Sequence, residues 1–135
     1  MKKLIFLLLA TLILAGCQSK PASGETITAA GGSYQDVTPD ELYTMLRDKD
    51  FTFINVHIPF AGNIAETDVS IPYDEIEQNL SQLPSDKNAK VVLYCRSGRM
   101  SQIAAEKLVS LGYTNIWELK GGMVAWEQAG YKIEK

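Results

Sequence analysis

Residues 90–94, Lys-Val-Val-Leu-Tyr, form a run in which every position after the lysine is apolar and none alternates with a polar one. A strand of this kind has both faces covered, which places it at the centre of a sheet held between helices. The segments around it fit that frame. Thr38-Pro39-Asp40-Glu41 is a capping box with proline at the first helical position, and Leu42, Met45 and Leu46 share a face, so a helix is expected over 39–47. Phe53-Ile54-Asn55-Val56 reads as a short strand, and 69–71 as a further candidate before Pro72. Ile76, Leu80 and Leu83 recur at helical spacing up to Pro84. A second helix is expected over 101–111, with Ala104, Leu108 and Leu111 facing inward and Gly112 ending it. After a strand at 115–119, Gly121-Gly122 turns the chain into a last short helix that buries Met123 and Trp126 and closes at Gly130. Trp117 is likewise assigned to packing. Strands and helices alternating over short connections imply an α/β class with a parallel β-sheet flanked by helices on both faces.

Binding and catalytic groups in such folds lie beyond the carboxyl ends of the strands. Cys95 stands there, directly after the central run and before the helix expected from Ser101. The loop Cys95-Arg96-Ser97-Gly98-Arg99-Met100-Ser101 can turn backbone N–H groups toward the sulfur, because Gly98 permits an unusual dihedral. Those donors, the positive end of the helix and two arginines favour thiolate over thiol, and the same cradle would hold an oxyanion. A structural cysteine belongs inside a strand or on a helix face, so a reactive thiol is the expected reading. Arg96 and Arg99 would neutralise an incoming anion, the alternative being an ordinary solvated charge.

The amino terminus sets the setting of that chemistry. Lys2 and Lys3 precede residues 4–15, which are apolar apart from Thr11 and too few to span a bilayer. Leu14-Ala15-Gly16-Cys17 resembles the lipobox of bacterial lipoproteins, in which diacylglycerol is attached to the cysteine and the chain is cut before it. An ordinary secretory signal with an incidental cysteine is the alternative, and both imply export. The expected organisation is a signal peptide over 1–16, a lipid anchor at Cys17 with a flexible Ser/Thr/Gly/Ala-rich tether over 17–33, and one domain over 34–135. The sequence carries 13 Lys plus Arg against 16 Asp plus Glu, so acyl chains, not basic residues, would attach it to a membrane, and nothing offers a nucleic acid a row of cations. With Cys17 lipidated, the other of the two cysteines, Cys95, has no partner within the chain.

Tyr94-Cys95-Arg96-Ser97-Gly98, with Ser101 and an alanine-rich helix following, resembles the active loop of the rhodanese family. Gly121-Gly122-Met123-Val124-Ala125-Trp126 with Ala129-Gly130-Tyr131 is similar to that family's C-terminal signature, and Phe53-Ile54-Asn55-Val56-His57 stands where the family has an Asp-Val-Arg strand end. The resemblance runs over 34–131 and implies a rhodanese-like fold and transfer of a sulfane sulfur through a cysteine persulfide, without metal or organic cofactor. Two departures stand out. The loop ends Gly98-Arg99-Met100-Ser101 where Gly-Asn-Arg-Ser is commonest, which brings the arginine one place earlier and leaves Met100 as an apolar wall. Asn55 and His57 replace a charged pair on both sides at once, which strands no charge. His57 is the only histidine; it could protonate a leaving group, although a hydrogen-bonded loop role is preferred because sulfite needs no general acid.

The expected function is that of a membrane-tethered extracytoplasmic sulfurtransferase, with Cys95 as the catalytic residue. It would pass sulfur from thiosulfate or a persulfide to a thiol acceptor, as a monomer. The anchor would lie on the outer face of a cytoplasmic membrane, or in the outer membrane of a two-membrane cell. The alternative is a low-turnover sulfur-carrier or anion-binding module. A phosphatase or arsenate reductase on the related fold is disfavoured, because such enzymes place an arginine where Ser101 stands.

Overall fold

The computed structural model describes residues 22–135. The expected signal peptide and the Cys17 anchor lie outside them. Strands β1 (Glu25–Ala29), β2 (Gly32–Val37), β3 (Thr52–Asn55), β4 (Val69–Ser70), β5 (Val91–Tyr94) and β6 (Ile116–Leu119) form one sheet in the order β1-β2-β6-β5-β3-β4. All neighbours pair in parallel except β1 with β2. Helices α1 (Pro39–Leu46) and α3 (Gly122–Gln128) contribute Leu42, Met123 and Trp126 to the apolar cluster on one face of the sheet. Helix α2 (Arg99–Ser110) contributes Ala104, Ala105, Leu108 and Val109 to the cluster on the other.

Strand β5 is buried at all four positions. Its side chains alternate between the layers: Val91 and Leu93, with Cys95 beyond them, join the α2 side, and Val92 and Tyr94 the α1/α3 side. The absence of polar alternation in 90–94 follows from this two-sided burial. The capping box forms as expected, with the Glu41 amide donating to Thr38 Oγ1 at 3.3 Å and the Thr38 amide to Glu41 Oε2 at 2.9 Å.

Three expectations are corrected. The tether over 17–33 does not extend through its described part, because Glu25–Ala29 pairs antiparallel with Gly32–Val37 through a two-residue turn in which Gly31 takes φ +90°. Ile27 packs against the α2-side core, so this alternating Thr-Ile-Thr segment belongs to the folded domain and makes the sheet mixed. The helical spacing of Ile76, Leu80 and Leu83 gives two 3₁₀ segments, Tyr73–Glu75 and Glu77–Gln82, with no α-helix. Asn79 breaks the pattern at φ −114°, ψ 22°, donating from its side chain to the Glu75 carbonyl at 2.8 Å. Helix α2 starts at Arg99, two residues earlier than expected, because Gly98 at φ +101° serves as its N-cap.

Candidate functional site

The parallel β5–loop–α2 unit carries Cys95 to the carboxyl end of the sheet's central strand, next to the N-terminus of α2. The side chain is only 1% exposed. The Gly98 amide donates to Cys95 Sγ at 3.0 Å, and Ser101 Oγ lies 3.4 Å from the same sulfur. The left-handed Gly98 makes this possible, since it turns its N–H back toward the strand end while starting the helix. The sequence anticipates a ring of amides; among the described contacts, that of Gly98 is the one made to sulfur.

The glycine pair at the start of α3 holds the loop from behind. The Met123 and Val124 amides donate to the Cys95 and Arg96 carbonyls, each at 2.9 Å. Gly122 sits so close that a Cβ there would collide with the Cys95 carbonyl and the Arg96 backbone. The two distant motifs, residues 95–98 and 121–123, thus form one structural unit.

Arg96, Ser97 and Arg99 are exposed, whereas Met100 is half-buried and Ser101 fully buried in the first turn of α2. Arg96 lines a cavity with Met123, Val124, Glu127 and Ile133, and a neighbouring one with Phe60 and Ala61. Arg99 and Met100 line neither, and Met100 packs against the apolar cluster that contains Cys95.

Asn55 is buried and organises the loop after β3. Its Nδ2 donates to the Gly62 carbonyl and to Asn63 Oδ1, each at 2.9 Å, while its Oδ1 accepts the His57 backbone amide at 3.0 Å. The link between positions 55 and 57 therefore runs through the backbone and not between their side chains. His57 Nδ1 is buried without a hydrogen-bond partner. Burial, followed by the positive charge of Arg96, holds the imidazole below its ordinary titration range.

Beneath the loop lies a feature that sequence reading missed. Glu118 on β6 is fully buried, and its Oε1 accepts from Ser101 Oγ at 2.5 Å. Asp36 on β2, 6% exposed, is its register partner. Burial chiefly, opposed by the Ser101 hydrogen bond and reinforced by Asp36, pushes the Glu118 carboxyl up to about 9. Glu118 is therefore a neutral acid at neutral pH. The available signal was the inward position of a glutamate within the strand Ile116-Trp117-Glu118-Leu119.

A family model described as the rhodanese-like domain matches residues 35–129, and one described as the prokaryotic membrane lipoprotein lipid attachment site matches residues 1–18. A sulfurtransferase of Allochromatium vinosum is 30% identical over 101 residues, covering 73% of this chain and 92% of that protein. An uncharacterised protein of Synechocystis is 33% identical over 101 residues; the match covers 73% of this chain but only 55% of that longer relative. Among solved structures, a rhodanese-related protein from Thermoplasma volcanium superposes with a TM-score of 0.63 at 30% identity, covering 74% of this chain and 97% of the other.

Proposed function

The chain belongs to the rhodanese-like domain family, and on that premise we propose that it is a lipid-anchored, exported sulfurtransferase that carries sulfur on Cys95. The observation that carries the reading is the Gly98 amide 3.0 Å from Cys95 Sγ, at the end of the central strand and beside a helix N-terminus. An aimed N–H stabilises an anionic sulfur and, after loading, the negative end of a persulfide.

The Cys95 thiolate attacks the outer sulfur of thiosulfate. One S–S bond forms, the sulfur–sulfite bond breaks, and the electron pair leaves with sulfite, so that Cys–S⁻ and thiosulfate become Cys–S–S⁻ and sulfite. A thiolate acceptor then takes the terminal sulfur and restores Cys–S⁻. Neither half-reaction draws on an external oxidant, reductant or cofactor. Arg96, exposed next to Cys95 and lining cavities with Phe60 and Val124, meets the charge of the donor. The neutral His57 beside it adds no second cation, and sulfite leaves without a proton.

The near-complete burial of Cys95 supports a second reading, a low-turnover carrier that loads sulfur and releases it only to a fitted acceptor. Steady-state turnover with thiosulfate and several thiols tests both. Sustained sulfite release that Cys95→Ser abolishes supports the enzyme, a single equivalent released per chain supports the carrier, and full activity in Cys95→Ser contradicts both.

A further inference from the structure

Among the described residues, the large apolar side chains that stand exposed are Tyr43, Phe60, Ile103 and Val124, and Phe60 is the most open of them at 63%. Tyr43 stacks on Tyr131 with ring centroids 4.6 Å apart, whereas Phe60 takes part in none of the described ring pairs. It lines instead an open cavity of about 360 Å³ with Ala61, Gly62, Arg96 and Lys135. Arg96 follows Cys95 in the chain, and consecutive Cα atoms lie about 3.8 Å apart, so one wall of this cavity is the nucleophile's immediate neighbour.

The loop that bears Phe60 is braced from two sides. The Gly62 carbonyl accepts from the buried Asn55 Nδ2 at 2.9 Å, and Asn63 and Glu134 exchange backbone hydrogen bonds at 2.7 and 2.8 Å. Gly62, at φ +107°, lies so near Ile133 and the Glu134 carbonyl that a Cβ would collide with both. These contacts fix the backbone just past Phe60, so setting its ring against a ligand costs little backbone entropy.

The chemistry of the lining selects the occupant. Phe60 and Ala61 offer apolar contact, the charged side chains are those of Arg96 and Lys135, and no acidic side chain is among them. The neighbouring cavity shares Ala61, Arg96 and Lys135 but adds Glu127, which repels an anion. The Phe60 cavity has the size of a small-molecule site and more room than a compact inorganic dianion fills. Its complement is an anion with an apolar carbon body.

We propose that the Phe60 cavity is a subsite for the apolar body R of an organic sulfur donor, R–SO₂–S⁻ or R–S–S⁻, whose outer sulfur is delivered to Cys95. The inference rests on Cys95 being the sulfur-carrying thiolate and names the class of donor it takes. The thiolate attacks the outer sulfur and a new S–S bond forms. The bond from that sulfur to the rest of the donor breaks, and the electron pair leaves with the sulfinate R–SO₂⁻ or the thiolate R–S⁻. Phe60 contacts R, and Arg96 faces the anionic end.

The test compares two monoanionic donors that differ in R alone, benzenethiosulfonate and methanethiosulfonate, on the detergent-extracted full chain. Loading is followed as the intact-mass gain of one sulfur atom, with Cys95→Ser as the blank, and the second-order rate constants are expressed as a benzene-to-methane ratio. Intrinsic reactivity and partitioning into detergent are common to all variants and cancel when their ratios are compared. Phe60→Ala should lower the ratio about fivefold, and Phe60→Tyr, which keeps the ring, should retain the wild-type value. If Phe60 serves only the loop, or a protein partner, its removal changes both donors alike and leaves the ratio unmoved. An equal ratio in the wild type and Phe60→Ala, or the same fall in Phe60→Tyr, overturns the proposal while sulfur loading itself stands. A wild type that gains sulfur from neither donor overturns the sulfur-transfer reading and the subsite with it.

Discussion

At the scale of single residues, the site depends on three glycines more than on its charged groups. Gly98 turns an amide onto the sulfur at φ +101°, and Gly122, at φ +58° after Gly121 at φ +78°, lets α3 grip the backbone of Cys95 and Arg96. The Cys95 loop and its glycines are visible in the chain as punctuation between a strand and a helix. Glu118 is not, because a carboxyl inside an apolar strand gains its meaning only from partners on two other elements. Its burial has a consequence for stability. A carboxyl whose folded value is raised from 4.5 to about 9 binds its proton more tightly in the folded than in the unfolded chain. Its contribution is thus fully present below about pH 4.5 and is lost as the pH rises through about 9. Asp36, also raised by burial, acts with the same sign. Urea midpoints measured from mildly acidic to alkaline pH should fall in the wild type. They should fall much less in Glu118→Gln; equal slopes in the two proteins would remove the buried-acid interpretation.

At the scale of elements, the sheet is stitched from segments of unequal legibility. The strand β5, the capped α1 and the glycine-started α3 each follow from local rules that tertiary contacts then reinforce: two-sided burial, a capping box and a left-handed entry. The edge strand β1 follows no such rule. Thr26, Thr28, Ala29, Ala30 and Gly31 have the composition of a linker, and the docking of Ile27 and Ala29 on the α2-side core turns the segment into a strand. The 3₁₀ segments at 73–82 show the converse, where helical spacing of apolar residues is overridden by an asparagine that bonds to the backbone. Ile27→Ala should therefore cost about 1–2 kcal/mol, below the range for a fully buried isoleucine because Ile27 is half-buried, and leave sulfur loading intact. Chemical denaturation reads the cost, and no loss of stability would mean that β1 does not help hold the fold.

At the scale of the whole molecule, the arrangement combines a lipoprotein attachment motif at residues 1–18 with a rhodanese-like domain over 35–129. The sheet order puts β5 between β6 and β3, so the chain's one described cysteine rests on the best-supported strand end, and Arg96 next to it lines two cavities that draw on separate segments of the fold. Arg96 contributes from the cysteine loop, Phe60 and Ala61 from the loop after β3, and Val124 and Glu127 from α3. The cysteine's place was readable from one strand and its loop, while this rim was not, since its members lie far apart in sequence and meet only through the fold. As a sulfurtransferase of the proposed kind, the chain would turn on a single event, the gain of one sulfur atom by Cys95. The measurement that reaches it most directly is intact-mass analysis of the protein after brief exposure to thiosulfate. The expected result is a gain of one sulfur atom that cyanide or a thiol removes and that Cys95→Ser does not acquire. An unchanged mass in the wild type, or the same gain in Cys95→Ser, would contradict the account.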